Sequence, residues 1–592
     1  MMPAPTKRSL TALLAAACVL AVARPARCPA ATPDSVAVRT TNVDPLLAEY
    51  FERWFDFHPE EATRLGLHRW DGKLVPITQA SVEAETAWLH EFRQRLVAVN
   101  TAKLAFPRRL DHAALLAAVD RRLFDLEVTR SFERNPNLYV SLITSPIQAL
   151  LERSFASDCS RLHSAVKRLR AVPEVLRAAT INLKNPPRIY TDVAIDQLRG
   201  ALRFYRETVP EMAGRCKDAP VQADVAEADS QAVRAAADFL DYLESDLRPR
   251  STGEIAFGRD AVQRKLWADE RESAPVESLL TRGWYEIGAT RERMRALARR
   301  IAPSGEVQDA LDSLARDTPE PSQQLALIRA EVDTVRLFLR GHAVLSRPHH
   351  EHLIVRETPT FSRSLNFASL DPPGVWESNA DEAYLNVTPV DSTWSETQKR
   401  DHLAFFNRWN AAIVVVHEAL PGHYYQFLSL RNVNSRVRAA LGCRSNIEGW
   451  AHYCEQMMVE EGFGGGNPRT ALAQEWLALQ RLGRLVAGLS IHTAGMSVTM
   501  ADSLFQNQCW MTPITAAREA RRGALDPTYG VYTLGKWRIL ALRDEVRAAM
   551  GDHYSARAFH DALLAQGIAP LPIVRAGVLH ALTGRTVDPG AP

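Results

Sequence analysis

Cysteine is scarce in this sequence. Seven occur in 592 residues, and none has a partner at the C-x-x-C spacing that thiolate zinc sites use. A cysteine-ligated metal domain is therefore not expected. Charge of one sign is also lacking: 71 Lys and Arg stand against 69 Asp and Glu, a formal net charge of +2. A nucleic-acid partner requires a concentrated basic face, and none is predicted. No apolar run reaches the roughly 20 residues that a membrane-spanning helix needs, and no fixed-period repeat points to a solenoid or propeller. What remains is 46% hydrophobic and 24% charged, the balance of a folded globular chain.

The N-terminus carries a different signal. Lys7 and Arg8 precede an apolar run of 14 residues, Leu10 to Ala23. This pattern predicts a secretory signal peptide over 1–30 and a Pro- and Thr-containing linker over 31–42, with an uncleaved anchor as the competing reading. Ala21-Val22-Ala23 and Cys28-Pro29-Ala30 are candidate cleavage sites. Cys18 follows Ala15-Ala16-Ala17, a weak lipid-attachment signal because a larger apolar residue is wanted three positions before the Cys. A periplasmic or secreted protein with no integral span after signal removal is expected. In an oxidising compartment Cys159–Cys216 is one available disulfide, although spacing alone does not fix connectivity.

From 43 to 345 the pattern is helical almost throughout. Leu115, Val119, Leu123 and Leu126 recur at helical spacing, as do Leu280, Trp284, Ile287 and Met294. Between 346 and 391, short β-prone segments such as 352–356 and 383–387 predict a small antiparallel β insert. Helical patterning resumes at Ser395, where Ser-Glu-Thr-Gln398 has capping-box spacing, and continues to the end. The fold class is mainly α, and 346–592 is expected to be one continuous fold with 43–345.

The segment Ala411-Ala-Ile-Val-Val-Val-His-Glu-Ala-Leu-Pro-Gly-His423 carries the strongest chemical signal. A zincin helix uses H-E-x-x-H, with both His on one face and the Glu as general base. Here Pro421 stands where the second His belongs, and His423 comes two residues later. On an uninterrupted helix His423 would lie about 120° around and about 9 Å along from His417. Pro421-Gly422 is a pair that allows the helix to break and His423 to return. The competing reading is a buried helix end with a Pro-Gly turn and two incidental His.

Glu448 follows His423 by 25 residues and opens a second helical segment. His417, His423 and Glu448 would give zinc three ligands and leave an open position. Against this, Ser445-x-x-Glu448 also has the spacing of a capping box. His452 and Glu455 lie on the same helix face as Glu448 and are candidates to orient a ligating His, and His452 is an alternative ligand. His492 is either a core His or an oxyanion donor. Tyr532, with Tyr529 in reserve, is a further oxyanion donor.

These residues occur in order as His417-Glu-Ala-Leu-Pro-Gly-His-Tyr-Tyr-Gln426, Glu448-Gly-Trp-Ala-His-Tyr-Cys-Glu455, Ile491-His492-Thr493, Tyr532-Thr-Leu-Gly535 and Phe559-His560-Asp-Ala-Leu-Leu-Ala-Gln-Gly567. Together they resemble the bacterial family known as domain of unknown function 885, over residues 45–585. The motif order is similar to that of helical gluzincin peptidases, including carboxypeptidases and dipeptidyl carboxypeptidases. The resemblance implies a two-lobed helical body with a deep cleft and one zinc ion per chain.

The expectation is a zinc metallopeptidase acting on a peptide or small amide. His417, His423 and Glu448 hold the metal, Glu418 is the general base, and Tyr532 and His492 meet the oxyanion. Strand 383–387, read as an edge, would receive the substrate backbone. Lys536 or Arg538 would take a substrate carboxylate, pointing to carboxypeptidase or dipeptidase action. A zinc hydrolase of a non-peptide amide and a catalytically silent binding protein are the alternatives. Glu418 argues against the silent reading, which has no use for it.

Overall fold

The computed structural model describes residues 43–590 except 349, 360–362 and 364–366. The expected signal peptide and linker, with Cys18 and Cys28, lie outside the described residues. The described residues form one compact unit. It is mainly α-helical with one three-stranded sheet, as the patterning predicts. Among the described residues no helix is long and apolar enough to cross a membrane.

Helical periodicity buries the expected residues: Leu115, Val119, Leu123 and Leu126 all enter one apolar core. Ile287 and Met294 are buried in another, whereas Trp284 faces solvent at 43% exposure. A third core is built by Pro136–Glu152, Asp158–Asn182, Arg188–Arg203 and Ala219–Tyr242. Cys159 and Cys216 form a disulfide beside it, and Cys443, Cys454 and Cys509 are free and buried.

The sheet falls where the sequence predicts but is mixed, not antiparallel. Strand β1 (Leu353–Glu357) pairs parallel with β3 (Ala383–Val387), and β2 (Ala368–Asp371) pairs antiparallel with β3. The order β1-β3-β2 makes 383–387 the central strand, so the edge-strand expectation is overturned. All five β3 residues are buried, Asn386 among them, as suits a central strand.

The helices that build the site are, in chain order, α1 (Val276–Ala298), α2 (Arg408–Glu418), α3 (His423–Leu430), α4 (Arg444–Glu460), α5 (Pro468–Thr493) and α6 (Val531–Met550). Helix α2 sits between two cores, giving Ala411, Val415 and Val416 to one and Ile413 to another. Its β-branched run has modest intrinsic helix propensity; burial on both sides compensates. The capping box at Ser395 forms with both halves present.

Candidate metal centre

Helix α2 starts under Asn407, whose side chain accepts from the backbone N–H groups of Trp409 and Asn410. It ends at Glu418, and α3 begins at His423. Between them the Leu420–Pro421 peptide is cis, and the backbone folds back so tightly that a Cβ on Gly422 would lie 1.9 Å from the His417 carbonyl oxygen. Only glycine fits there. Trp450 on α4 donates its indole N–H to the carbonyls of Pro421 (3.0 Å) and Gly422 (3.2 Å), which pins the break against α4.

The break returns His423 to His417. Their ring centroids are 4.9 Å apart at an interplanar angle of 81°. Glu448 joins them: its Oε2 lies 3.5 Å from His417 Nε2 and 3.4 Å from His423 Nε2. One ligand atom from each of the three residues falls within a mutual 4.8 Å. These separations are long for hydrogen bonds. They match the roughly 3.3–3.6 Å between donors on a tetrahedron with metal–ligand bonds of about 2.0–2.2 Å. Two imidazoles and one carboxylate are also a donor set that zinc accepts. The residues present fit the ion.

The capping box at Ser445 and Glu448 does not form. The N-cap of α4 is Cys443, and no side chain of the helix itself caps it. Instead Glu270, from a remote helix, accepts the Ser445 backbone N–H at 3.0 Å and the Cys443 thiol at 2.7 Å. Glu448 is thereby free to face the imidazoles. Burial opposes its charge, yet the two imidazoles hold its carboxyl well below the usual range.

Behind the ligands, His417 Nδ1 meets Glu455 Oε1 at 2.7 Å. Glu455 also takes Arg481 at 2.7 Å and His452 Nδ1 at 3.0 Å. Glu455 thus sits behind His417, while His452 bonds to Glu455 and is not among the clustered His417, His423 and Glu448. Glu418 points into the same cavity, where the Leu370 backbone N–H of β2 donates to its Oε2 at 3.1 Å. Burial raises the Glu418 carboxyl above its ordinary value.

The cavity holds about 1160 Å³ and includes His417, Glu418, His423, Glu448 and Tyr532 in its wall. The Tyr532 ring lies 6.3 Å from that of His417 and nearly parallel to it. Other predicted residues fall elsewhere. His492 is fully buried, with Nε2 bonded to the Gly523 carbonyl at 3.0 Å, and is no oxyanion donor. It shares a face of α5 with Arg481 but lies about 16 Å further along the axis. The Tyr529 hydroxyl is committed to Glu519 at 2.5 Å. Arg538 is paired with Glu272 at 2.6 Å, and Lys536 lines a different cavity, so neither joins His417, His423 and Glu448.

Sequence reading missed the arginines. Arg444, Arg481, Arg484 and Arg522 all line the cavity. Arg444 pairs with Asp526, Arg481 with Glu455, and Arg484 forks onto Glu519 at 2.6 and 3.0 Å. Arg522 approaches Glu519 only at 3.6 Å. The available signal was two arginines three apart on α5, a helix apolar on nearly every face; such a helix keeps a charge only where the charge has a partner or a task.

The fold and site define a class: a helical protein whose large cavity ends in a His–His–Glu cluster backed by a carboxylate. The chain belongs to the bacterial protein family of unknown function DUF885, whose sequence profile matches residues 59–578. A search of the curated proteins finds no match. Among solved structures, a candidate lipoprotein of unknown function from Shewanella oneidensis is similar at 22% identity and a TM-score of 0.75, covering 90% of this chain and 99% of that one. A candidate lipoprotein from Colwellia psychrerythraea is similar at 17% identity and a TM-score of 0.77, covering 92% and 99%. These likenesses speak to the fold.

Proposed function

We propose that the protein is a zinc-dependent peptidase of the gluzincin type, hydrolysing peptide bonds with metal-activated water. The observation that carries the reading is the convergence of His417, His423 and Glu448 at tetrahedral spacing beside the cavity-facing Glu418. Zinc, when bound, supplies the Lewis acidity that lowers the pKa of water and polarises a carbonyl. Glu418 accepts the proton of the attacking water and passes it to the leaving amine. Its raised pKa suits a group that must both take and give a proton. Tyr532 offers its hydroxyl to the developing oxyanion.

Substrate binding is assigned to two missed features. Strand β2 has one edge paired with β3, and Phe367 to Leu370 line the cavity, so β2 replaces 383–387 as the strand that receives an extended peptide. Arg522, which lines the cavity and approaches Glu519 only at 3.6 Å, takes over the carboxylate-binding role expected of Lys536 or Arg538. This favours substrates with a free C-terminus. Export fits the same reading: the N-terminal sequence is signal-like, the solved neighbours are described as candidate lipoproteins, and Cys159–Cys216 suits an oxidising compartment.

The test is a peptide-library screen of the zinc-loaded protein beside Glu418→Gln. The wild type is expected to cleave peptides, and the variant to keep zinc while losing about 10²- to 10⁴-fold in turnover. No cleavage of any peptide by the wild type, or equal turnover by the variant, would contradict the proposal.

A further inference from the structure

Helices α1, α4, α5 and α6 enclose a second cavity, of about 680 Å³. Helix α4 contributes His452, Gln456 and Glu460 to it, one turn beyond the Glu448 that borders the first cavity. Its wall includes Lys536, which is 9% exposed and has no hydrogen-bond or ion-pair partner among the described residues. Three residues earlier on the same helix and wall, the buried Thr533 hydroxyl also lacks a partner among the described residues.

The remaining charges on the wall largely cancel. Glu475 is held by Arg293 at 2.6 Å and Glu460 by Arg543 at 2.8 Å. That leaves Lys536 and the exposed Arg282, which stacks on Trp537 at 4.0 Å, against Glu286 alone. The unengaged groups therefore carry an excess of positive charge and of hydrogen-bond donors. Burial pulls the Lys536 ammonium below its ordinary value, against the attraction of Glu455 and Glu475. A methionine would fill the same volume without that penalty, so the lysine is best explained by an acceptor that enters the cavity.

We propose that this cavity is a binding site for a small oxyanion, a carboxylate or phosphate, held by the Lys536 ammonium and the Thr533 hydroxyl with Arg282 alongside. The site is independent of the peptidase reading, and it backs onto the metal cluster through His452 and Glu455, the group that orients His417.

Calorimetric titration of inorganic phosphate, and separately of acetate, into the purified full chain tests it. Wild type and His423→Ala, which disrupts the metal cluster, should bind at least one of the two anions with matching affinity. Lys536→Met should weaken that binding about tenfold or more, the loss of a charge-assisted hydrogen bond, and Thr533→Val should weaken it less. Preference for phosphate or for acetate identifies the source of the ligand. If Lys536→Met fails to fold, Thr533→Val carries the test. Absence of binding by either anion at millimolar concentration, or unchanged affinity in the Lys536 and Thr533 variants, would overturn the proposal.

Discussion

The Nδ1 of His417 donates to Glu455 Oε1 across 2.7 Å, and the same ring therefore turns its Nε2 toward Glu448 and His423. A carboxylate behind a ligating imidazole fixes its tautomer and raises its basicity. Glu455→Gln keeps the shape but removes the charge. Zinc affinity, measured by competition with a chromophoric chelator, should fall about 10- to 100-fold. Wild-type affinity would show that His417 is held in place by packing alone.

Helices α4 and α6 meet at two glycines. A Cβ on Gly535 would lie 1.8 Å from the Ser445 carbonyl oxygen and 2.7 Å from the Gly449 Cα. This approach brings Tyr532, one turn earlier on α6, to the cavity that Glu448 borders. Gly535→Ala must force the helices apart and should destabilise the protein by at least about 2 kcal/mol in denaturant unfolding. Unchanged stability would mean that the contact is loose.

Asp229 is 8% exposed and its Oδ1 has no partner, and burial raises its pKa from 3.8 to about 7. The folded state thus holds the proton more tightly than the unfolded chain. Its contribution to stability is complete below pH 3.8 and is lost as pH rises through about 7. Asp229→Asn does not titrate. Its advantage over the wild type should open between pH 4 and 7 and reach about 4 kcal/mol above that window. Melting curves that stay parallel across this range would refute the assignment.

Much of the site was legible because its chemistry is local. The break at Pro421-Gly422 announces itself in the residue types, and Glu448 follows at a spacing that a second helix can fold back. What local sequence could not supply was the third dimension. Glu270 frees Glu448 from a capping role, but it lies 178 residues before it. His492 shares a helix face with Arg481 and differs only in distance along the axis. Lys536 follows Tyr532 by one turn of α6, and that turn carries it into a different cavity. In the sheet, residue types marked 383–387 as a strand, but whether it is central or at an edge depends on β2, whose Ala-Ser-Leu-Asp sequence has little β signal.

The central claim is that the helix break returns His423 to a metal shared with His417 and Glu448. The most direct test is the metal content of the purified chain, wild type beside His423→Ala, under chelator-free conditions. The account predicts about one zinc per chain in the wild type and none retained in the variant. A wild type without zinc, or a variant that keeps it, would contradict the account.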